Sequence, residues 1–389
     1  MSSKESNSVG PPSRRAAAPR LWRKRAGLFA LSLLLSMCAV ELGFRFKAPM
    51  GHEAMLFGAP DFSDPDLYVS DSKLLLVPNP GYRGSLRTIE YNADVRINSK
   101  GVRGPEVESR QPNELRLLAL GDSFTLAVQV AEEETFAARL ESLLTARLNR
   151  PVRIVNAGVD GFGTQQSVEM ARRLDETYGA DGAILMFFTG NDYWENDSYE
   201  ERLRIHGGMK MPPPQPELSF WDRTLGRLSY AYAFVRVHFR TRHMRTDPHQ
   251  LQRYGQELKI FDQTSPALDQ QMRQTRRALN EFSELCRENS WACFLPIAPP
   301  AFVADPKRAE ATFDLVGMGM EQVDLERPAS ALMRENLQDL PRMDLLPVLR
   351  SSKKPTYFRF DGHWNSEGHR IVADALATWI GDHFESRSP

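Results

Sequence analysis

The sequence predicts an α/β fold in which a parallel sheet is covered by helices on both faces. Largely apolar runs, as expected of buried parallel strands, occur at 115–120, 152–158, 183–190 and 291–299. Segments with apolar residues at helical spacing alternate with these runs, at 135–148, 164–178, 265–289 and 366–384. The hydrophobic fraction of 41% and the charged fraction of 25% are those of an ordinary globular protein. Strands that alternate with helices form parallel sheets, whose ligands bind beyond the carboxyl ends of the strands.

The predicted helices have recognisable starts. Thr164 could cap the second helix, and Ser265 could cap the third, with Pro266 in its first turn. The closing helix has one apolar face, formed by Ile371, Ala375, Leu376 and Ile380.

Charge and cysteine content exclude several classes of protein. Lys plus Arg (49) nearly balance Asp plus Glu (50), so the net charge of −1 gives no general attraction to nucleic acid. Three cysteines in 389 residues exclude a disulfide scaffold and offer no zinc-ligand spacing. Cys286 and Cys293 could form a bridge in an oxidising compartment, or they could be two buried thiols.

The amino-terminal end combines a basic tail with an apolar segment. Residues 1–25 hold seven basic residues against one acid, so we expect a disordered cytoplasmic tail. Residues 26–46 are mainly apolar, and we expect a single transmembrane anchor with the rest of the chain periplasmic or extracellular. Two alternatives remain open: a signal peptide, although no clean cleavage site follows, and a buried core helix.

Three further segments depart from the strand–helix alternation. Residues 47–114 predict a linker and a small β-rich collar, because short β-type runs alternate with turn signals there. Residues 115–389 would form the main domain, with insertions at 192–264 and 300–350. The first insertion contains an apolar stripe at helical spacing, formed by Trp221, Leu225, Leu228, Tyr232, Val235 and Phe239. The stripe would pack on the core, cap the active site or touch lipid headgroups.

Polar motifs follow the predicted strands. Gly121-Asp122-Ser123-Phe124-Thr125 comes after the first, a run from Asn156 to Gly161 after the second, and Gly190-Asn191-Asp192 after the third. Each motif alone is typical of a tight turn. Near the carboxyl end, Asp361 precedes His363 by two residues, which lets a carboxylate orient the imidazole as a base. A metal site is disfavoured there because no third ligand cluster is near.

The four motifs, in this order, resemble the four blocks of the SGNH (GDSL) hydrolase family over residues 115–385, with the two insertions unaligned. The segment INSKGVRGPE at 97–106 is also similar to the region that precedes the serine block in membrane-anchored bacterial members. The resemblance implies a flavodoxin-like three-layer α/β/α sandwich. It implies that Ser123 is the nucleophile, that His363 is the general base and acid, and that Asp361 orients His363.

The resemblance also implies an oxyanion hole, formed by the backbone amides of Ser123 and Gly161 and by the side chain of Asn191. Gly158 remains a close rival of Gly161. Phe124 stands where the family commonly has leucine, and Trp364 after His363 is similar to the Asp-x-His-Trp signature of polysaccharide O-acetyltransferases. His369, on the closing helix, is interpreted as structural.

The implied chemistry is acyl transfer through an acyl-serine, without a metal or an organic cofactor. We therefore expect a serine-dependent ester hydrolase that acts outside the cytoplasmic membrane on an acyl or acetyl ester of a glycan or lipid. The expected partners are that substrate and, through the N-terminal helix, the membrane, with no nucleic acid. One alternative is an O-acetyltransferase that modifies an envelope polysaccharide. A second is a non-catalytic binding module, against which the complete set of Ser, Asn, Asp and His argues.

Overall fold

A computed structural model divides the chain into two units, Met1–Pro49 and Met50–Pro389. The described residues are 18–47, 65–88, 90–206, 255–337, 340–359 and 361–386, with the single residues 225, 229, 231, 232 and 235. Residues 1–17 of the predicted tail lie outside them. Trp221, Leu228 and Phe239 also lie outside the described residues, so the predicted apolar stripe stays a prediction.

The first unit contains one long helix, α1, Ala18–Lys47. Residues 18–25 are therefore helical, and the prediction of an unstructured tail up to residue 25 is wrong for them. Arg and Lys are good helix formers, so the basic stretch continues the apolar helix towards the amino terminus. Within α1, the 22 residues Trp22–Gly43 are long and apolar enough to cross a membrane. Either a membrane anchor or a signal sequence has these properties.

The second unit begins with two antiparallel strand pairs. A 3-10 turn, Pro65–Leu67, leads into β1, Tyr68–Asp71, which pairs with β2, Leu75–Pro78. The other pair is β3, Arg83–Arg87, with β4, Asn92–Arg96. These strands lie in the region for which a β-rich collar is predicted. That they form a separate structural region stays a prediction.

A parallel sheet forms the centre of the second unit. Its strands are β5 Leu115–Leu120, β6 Val152–Asn156, β7 Gly182–Leu185, β8 Phe187–Phe188, β9 Ala292–Ala298 and β10 Arg342–Asp344. They are ordered β6-β5-β7-β9-β10, and β8 continues beside β9 after β7. Numbered along the chain, this is the 2-1-3-4-5 order of flavodoxin-like sheets.

In the described part of the second unit, helices lie between these strands and after the last one. They are α2 Ser123–Leu126, α3 Phe136–Leu148, α4 Thr164–Tyr178, α5 Asp192–His206, α6 Ala267–Glu288, α7 Ala301–Ala304, α8 Ala309–Asp314, α9 Arg327–Arg334, α10 Leu346–Arg350 and α11 Ser366–Glu385. Short 3-10 turns lie at Glu132–Glu134, Lys259–Phe261, Pro306–Arg308 and Met320–Gln322.

The sheet lies between two apolar cores. Alternate residues of β5 point to opposite faces: Leu118 and Leu120 pack in the core that contains α4 and α6, whereas Leu117 and Ala119 pack with α3 and α11. All four side chains are buried. The predicted α/β fold, a parallel sheet with helices on both faces, is confirmed.

Some boundaries differ from the prediction. Helix α4 begins at Thr164 itself, and Gly163 is its N-cap. Helix α6 begins at Ala267, and its N-cap is Pro266, so the predicted start at Ser265 is too early by two residues. The predicted insertion 300–350 contributes the edge strand β10 to the sheet. This three-residue strand, Arg-Met-Asp, has no apolar run by which a sequence could reveal it.

A disulfide joins Cys286, in the last turn of α6, to Cys293 at the start of β9. The Cα atoms are 6.2 Å apart, and the cysteines are seven positions apart in the sequence. Of the two possibilities left open by the sequence, the structure has the bridge. It fixes the helix end to the strand that follows.

Candidate active site

The turn after β5 holds Ser123 at the carboxyl end of the sheet. Gly121 has a φ of +138°, a conformation that L side chains rarely adopt. A Cβ atom there would lie 2.7 Å from Thr125 Oγ1 and 2.8 Å from the carbonyl oxygen of Met186. Only glycine therefore allows the chain to turn here directly from strand to helix, with Ser123 as the first helical residue.

Asp122 caps the short helix α2. Its Oδ1 accepts a hydrogen bond from the amide of Phe124 at 2.9 Å, and its other oxygen is buried without a partner among the described residues. Burial raises the pKa of Asp122 to about 7, against the opposing effects of this hydrogen bond and of the charge on His363. The carboxyl group that precedes the candidate nucleophile thus keeps its proton to a higher pH than an ordinary aspartate does.

The loop before α11 brings two more predicted residues to Ser123. His363 Nε2 lies 2.7 Å from Ser123 Oγ, and His363 Nδ1 lies 2.5 Å from Asp361 Oδ1. The amide of His363 also donates to Asp361 Oδ1 at 3.2 Å. The loop ends at Asn365, whose side chain caps α11 by accepting from the amides at 367 and 368. The three side chains form a continuous serine–histidine–aspartate chain, an arrangement that can activate a serine hydroxyl as a nucleophile.

The two ionisable members of this chain shift each other's pKa. Burial lowers the pKa of His363, but the charge and hydrogen bond of Asp361, together with Asp160 and Asp122, outweigh it and raise the pKa to about 9. Burial raises the pKa of Asp361, and the charge and hydrogen bond of His363, with a hydrogen bond from Tyr91, lower it below its usual value. Asp361 is therefore ionised at neutral pH, and His363 holds a proton until the solution becomes alkaline.

Two glycines after β6 differ in what their amides can do. The amide of Gly158 donates to Asn156 Oδ1 at 3.2 Å, and a Cβ at Gly158 would lie 2.2 Å from the nitrogen of Leu126. Gly158 thus serves close packing. Gly161 has a φ of +69° with open space around its Cβ position, and its amide donates to no described residue. The amide of Ser123 is likewise without an acceptor within the described part of the chain. Both amides therefore remain available as donors, as the predicted oxyanion hole requires.

Asn191 follows β8 and precedes α5. Its side chain makes no hydrogen bond to any described residue, and its Oδ1 is buried. The next residue, Asp192, is also buried and accepts from the amide of Phe188 at 2.9 Å. Burial and the charge of Asp122 raise the pKa of Asp192 well above its usual value. Asn191 therefore offers an unengaged amide beside a pair of buried carboxyl groups.

Aromatic side chains support the imidazole from behind. The ring of Phe124 lies 4.9 Å from that of His363 and 4.9 Å, edge-on, from that of Trp364. Trp364 is fully buried, packs against Phe136 and stacks edge-on with His369. Phe124, in the position of the common leucine, thus joins the histidine loop to the core, and Trp364 contributes packing.

His369 is also part of this core. It is buried, its Nδ1 accepts from the amide of Phe136 at 3.3 Å, and its ring stacks on that of Phe136. Burial lowers its pKa to about 3, so the ring is neutral at any physiological pH. In the described residues, no group of three or more His, Cys, Asp or Glu side chains could hold a metal ion.

Sequence reasoning missed three residues that contact these loops. Glu90 and Tyr91, in the turn just before β4, form hydrogen bonds with the loop that carries Asp361. Arg103, in the segment INSKGVRGPE, is buried and donates to the carbonyl oxygens of Leu126 and Val130, just after the candidate nucleophile. Burial lowers its pKa to about 10, and the charges of two nearby glutamates oppose that shift. The one sequence signal for Arg103 is that residues 97–106 are similar to the region before the serine block in membrane-anchored SGNH proteins.

Comparisons with known proteins find one matching family model and several similar solved structures. Residues 301–388, which include Asp361 and His363, match the family model described as SGNH hydrolase-like domain, acetyltransferase AlgX. No curated protein sequence matches the chain significantly. Similar solved structures include the psychrotrophic esterase EstA from Pseudoalteromonas sp., with 12% identity, a TM-score of 0.35, and 69% of this chain and 98% of that chain covered.

Two others are a two-domain esterase active on acetylated mannans and the lipase/acylhydrolase from Enterococcus faecalis. The first has 13% identity and a TM-score of 0.37, covering 71% of this chain and 50% of that one. The second has 12% identity and a TM-score of 0.32, covering 69% and 96%.

The parallel sheet has the strand order of flavodoxin-like folds, and residues 301–388 of the same unit are similar to an SGNH hydrolase-like domain.

Proposed function

We propose that this protein is a serine-dependent ester hydrolase that works through an acyl-serine intermediate. The observation that carries the proposal is the hydrogen-bonded chain from Ser123 Oγ through the imidazole of His363 to Asp361, with distances of 2.7 and 2.5 Å. Neutral His363 takes the proton of Ser123 as Oγ attacks the ester carbonyl. The imidazolium that forms is stabilised by the ionised carboxylate of Asp361.

The negative oxygen of the tetrahedral intermediate would accept hydrogen bonds from the amides of Ser123 and Gly161 and from the Asn191 side chain. Each such donor is worth about 3 kcal/mol in comparable sites. His363 then gives its proton to the departing alcohol. A water molecule, activated by the same imidazole, attacks the acyl-serine and releases the acid.

A fluorophosphonate probe tests this assignment because it reacts only with an activated serine. Wild-type protein should become labelled, and Ser123→Ala and His363→Ala should not. Ser142→Ala is the matched control, since Ser142 is exposed on α3 and bonds only to its own helix at Ala138. Labelling of all four proteins to the same extent would refute the proposal and favour a binding module on the same scaffold.

An O-acetyltransferase that modifies an envelope polysaccharide is the second candidate. The match of residues 301–388 to a model described by an acetyltransferase favours it. An acetyl ester supplied with and without an acceptor oligosaccharide separates the two activities. A hydrolase releases acetate at the same rate in both, whereas a transferase acetylates the oligosaccharide and releases less acetate when it is present.

We propose that the substrate is an acyl or acetyl ester of a glycan or lipid outside the cytoplasmic membrane, reached from an anchor formed by α1. The apolar segment Trp22–Gly43 and its basic flank support this orientation. The intact mass of the protein purified from membranes distinguishes the anchor from a cleaved signal peptide. A mature protein that lacks the residues of α1 would overturn the anchor.

A further inference from the structure

The turn between β3 and β4 reaches the loop that carries Asp361. The hydroxyl of Tyr91 donates to Asp361 Oδ2 at 2.9 Å, across 270 residues of sequence. Beside it, the carboxylate of Glu90 accepts two amides of the same loop, from Arg359 at 2.7 Å and from Asp361 at 2.9 Å. A segment outside the parallel sheet therefore holds both the side chain and the backbone of the third member of the catalytic chain.

The turn itself fixes these two side chains. Thr88 Oγ1 accepts the amides of Glu90 and Tyr91 at 3.1 and 3.2 Å, and the amide of Thr88 donates to the carbonyl of Tyr91 at 2.8 Å. The ring of Tyr91 also packs on that of Phe358, with ring centres 5.1 Å apart. Because backbone, ring and hydroxyl are all engaged, the phenol is presented to Asp361 in one orientation.

The two oxygens of the Asp361 carboxylate bind different partners. Oδ1 is engaged by the ring and the amide of His363, whereas Oδ2 faces Tyr91. A donor on Oδ2 prevents the carboxylate from rotating away from the imidazole. It also withdraws negative charge from Oδ1, and hydrogen bonds to charged groups are stronger than neutral ones.

We propose that Tyr91 is a positioning residue of the active site, which orients Asp361 and through it His363, and that Glu90 clamps the loop that carries both. This inference rests on the proposed function, since it concerns the same serine-activating chain. It assigns to the β3–β4 turn, which lies outside the parallel sheet, the task of positioning the catalytic carboxylate.

Tyr91→Phe tests the proposal because the substitution removes the hydroxyl and keeps the ring on Phe358. The readout is the inactivation of the full-length protein by a fluorophosphonate, measured as kinact and KI across a pH series. We expect kinact to fall by roughly ten- to a hundredfold, the effect of one hydrogen bond to a charged group, with KI changed less than about twofold. Without the phenol, Oδ1 carries more negative charge, so the pH at which kinact reaches half its maximum should rise.

Tyr199→Phe is the matched control. Its hydroxyl donates to the carbonyl oxygen of Lys73, in a hydrogen bond of similar kind that does not involve Asp361. We expect wild-type kinact and an unchanged pH midpoint. Glu90→Gln is the second variant, because glutamine can accept only one of the two amides. We expect kinact of Glu90→Gln to fall less than that of Tyr91→Phe. The thermal midpoint of Glu90→Gln should equal or exceed that of Tyr91→Phe.

The outcomes separate the inference from the function on which it rests. Wild-type labelling that persists in Ser123→Ala refutes the proposed function. Loss of labelling in Ser123→Ala together with wild-type kinetics in Tyr91→Phe overturns only the role of Tyr91. A fall in kinact that follows the loss of folded protein, with an unmoved pH midpoint, also overturns it, because a merely structural tyrosine would behave in that way.

Discussion

The imidazole Nε2 of His363 lies 2.7 Å from the hydroxyl oxygen of Ser123, although 240 residues separate them in sequence. At this distance a proton can pass directly from oxygen to nitrogen, without an intervening water molecule. On the proposed mechanism, the protonation state of His363 therefore decides whether Ser123 can act as a nucleophile.

The raised pKa of His363 predicts an alkaline activity profile. Only the neutral imidazole accepts the serine proton, so kcat/KM should increase about tenfold for each pH unit and level off above the pKa of about 9. An ester panel of increasing acyl length, assayed from pH 6 to 10, measures this. A plateau already reached at pH 7 would contradict the shift.

Asp361→Asn should move that profile and lower it. Asparagine keeps the shape of the side chain but removes the charge that raises the pKa of His363, so the half-maximal pH should fall. The plateau should also drop by about 10³–10⁴-fold, because the wrong imidazole tautomer is then held. Asp374→Asn, on the outer face of α11, is the matched control. An unshifted half-maximal pH would show that Asp361 does not set the pKa of His363.

The same ion pair predicts a pH-dependent stability. A histidine whose pKa is raised by folding contributes stability that is fully present below its unfolded value of about 6.5. This contribution is lost as the pH rises through about 9. Denaturant unfolding of wild type and His363→Gln at pH 6 and pH 10 measures it, and the difference between the two proteins should shrink at pH 10. An equal difference at both values would contradict the prediction.

Asn191→Ala should reduce turnover without weakening substrate binding. The side chain has no hydrogen-bond partner in the described structure, so its removal costs the fold little. If Asn191 donates to the oxyanion, kcat should fall by about 10²–10³-fold with KM nearly unchanged. Asn191→Asp, of the same size, should be at least as slow because a carboxylate repels the developing charge. A variant with a raised KM and an intact kcat would place Asn191 in ground-state binding.

Arg103→Met should destabilise the loop that follows Ser123. The substitution keeps much of the buried volume but leaves the carbonyl oxygens of Leu126 and Val130 without donors. Each buried group left unpaired costs on the order of 1–3 kcal/mol of unfolding free energy. Arg273→Met, at an exposed arginine on α6, should unfold like wild type. Thermal midpoints compare the three, and equal midpoints would contradict a structural role of Arg103.

Reduction of the Cys286–Cys293 bridge should weaken the fold moderately. A loop of seven residues closed in the unfolded chain corresponds to about 2 kcal/mol in the chain-entropy relation. Alkylation followed by mass measurement, with and without reductant, should show two additional modified cysteines after reduction. Cys38, the remaining cysteine, should be modified in both. Modification of all three before reduction would exclude the bridge.

Much of the sheet could be predicted from the sequence because its strands are buried on both faces and read as apolar runs. The edge strand β10 could not, since Arg342 and Asp344 give no such run. Helix starts shifted by one or two residues because Gly163 and Pro266, rather than their hydroxyl-bearing neighbours, occupy the cap positions.

The candidate site was predictable where its residues directly follow strands or precede the last helix. Ser123, Asn191 and His363 stand at such places, in an order with a known resemblance. Tyr91 and Glu90 had no comparable signal. They lie in the turn between the paired strands β3 and β4, and only the three-dimensional fold brings them to Asp361. Contacts over such separations leave no trace in local periodicity or turn chemistry.

Asp361 and His363 follow the last strand of the sheet, so they are synthesised long after Ser123. During translation Ser123 leaves the ribosome far ahead of His363. Of the strands of the parallel sheet, only β5 has been made by then. On the mechanism proposed here, a nascent chain or a truncated product that stops before residue 361 carries an inert serine. On that mechanism, Ser123 becomes reactive only after the loop with Asp361 and His363 has been made and α11 has packed on α3.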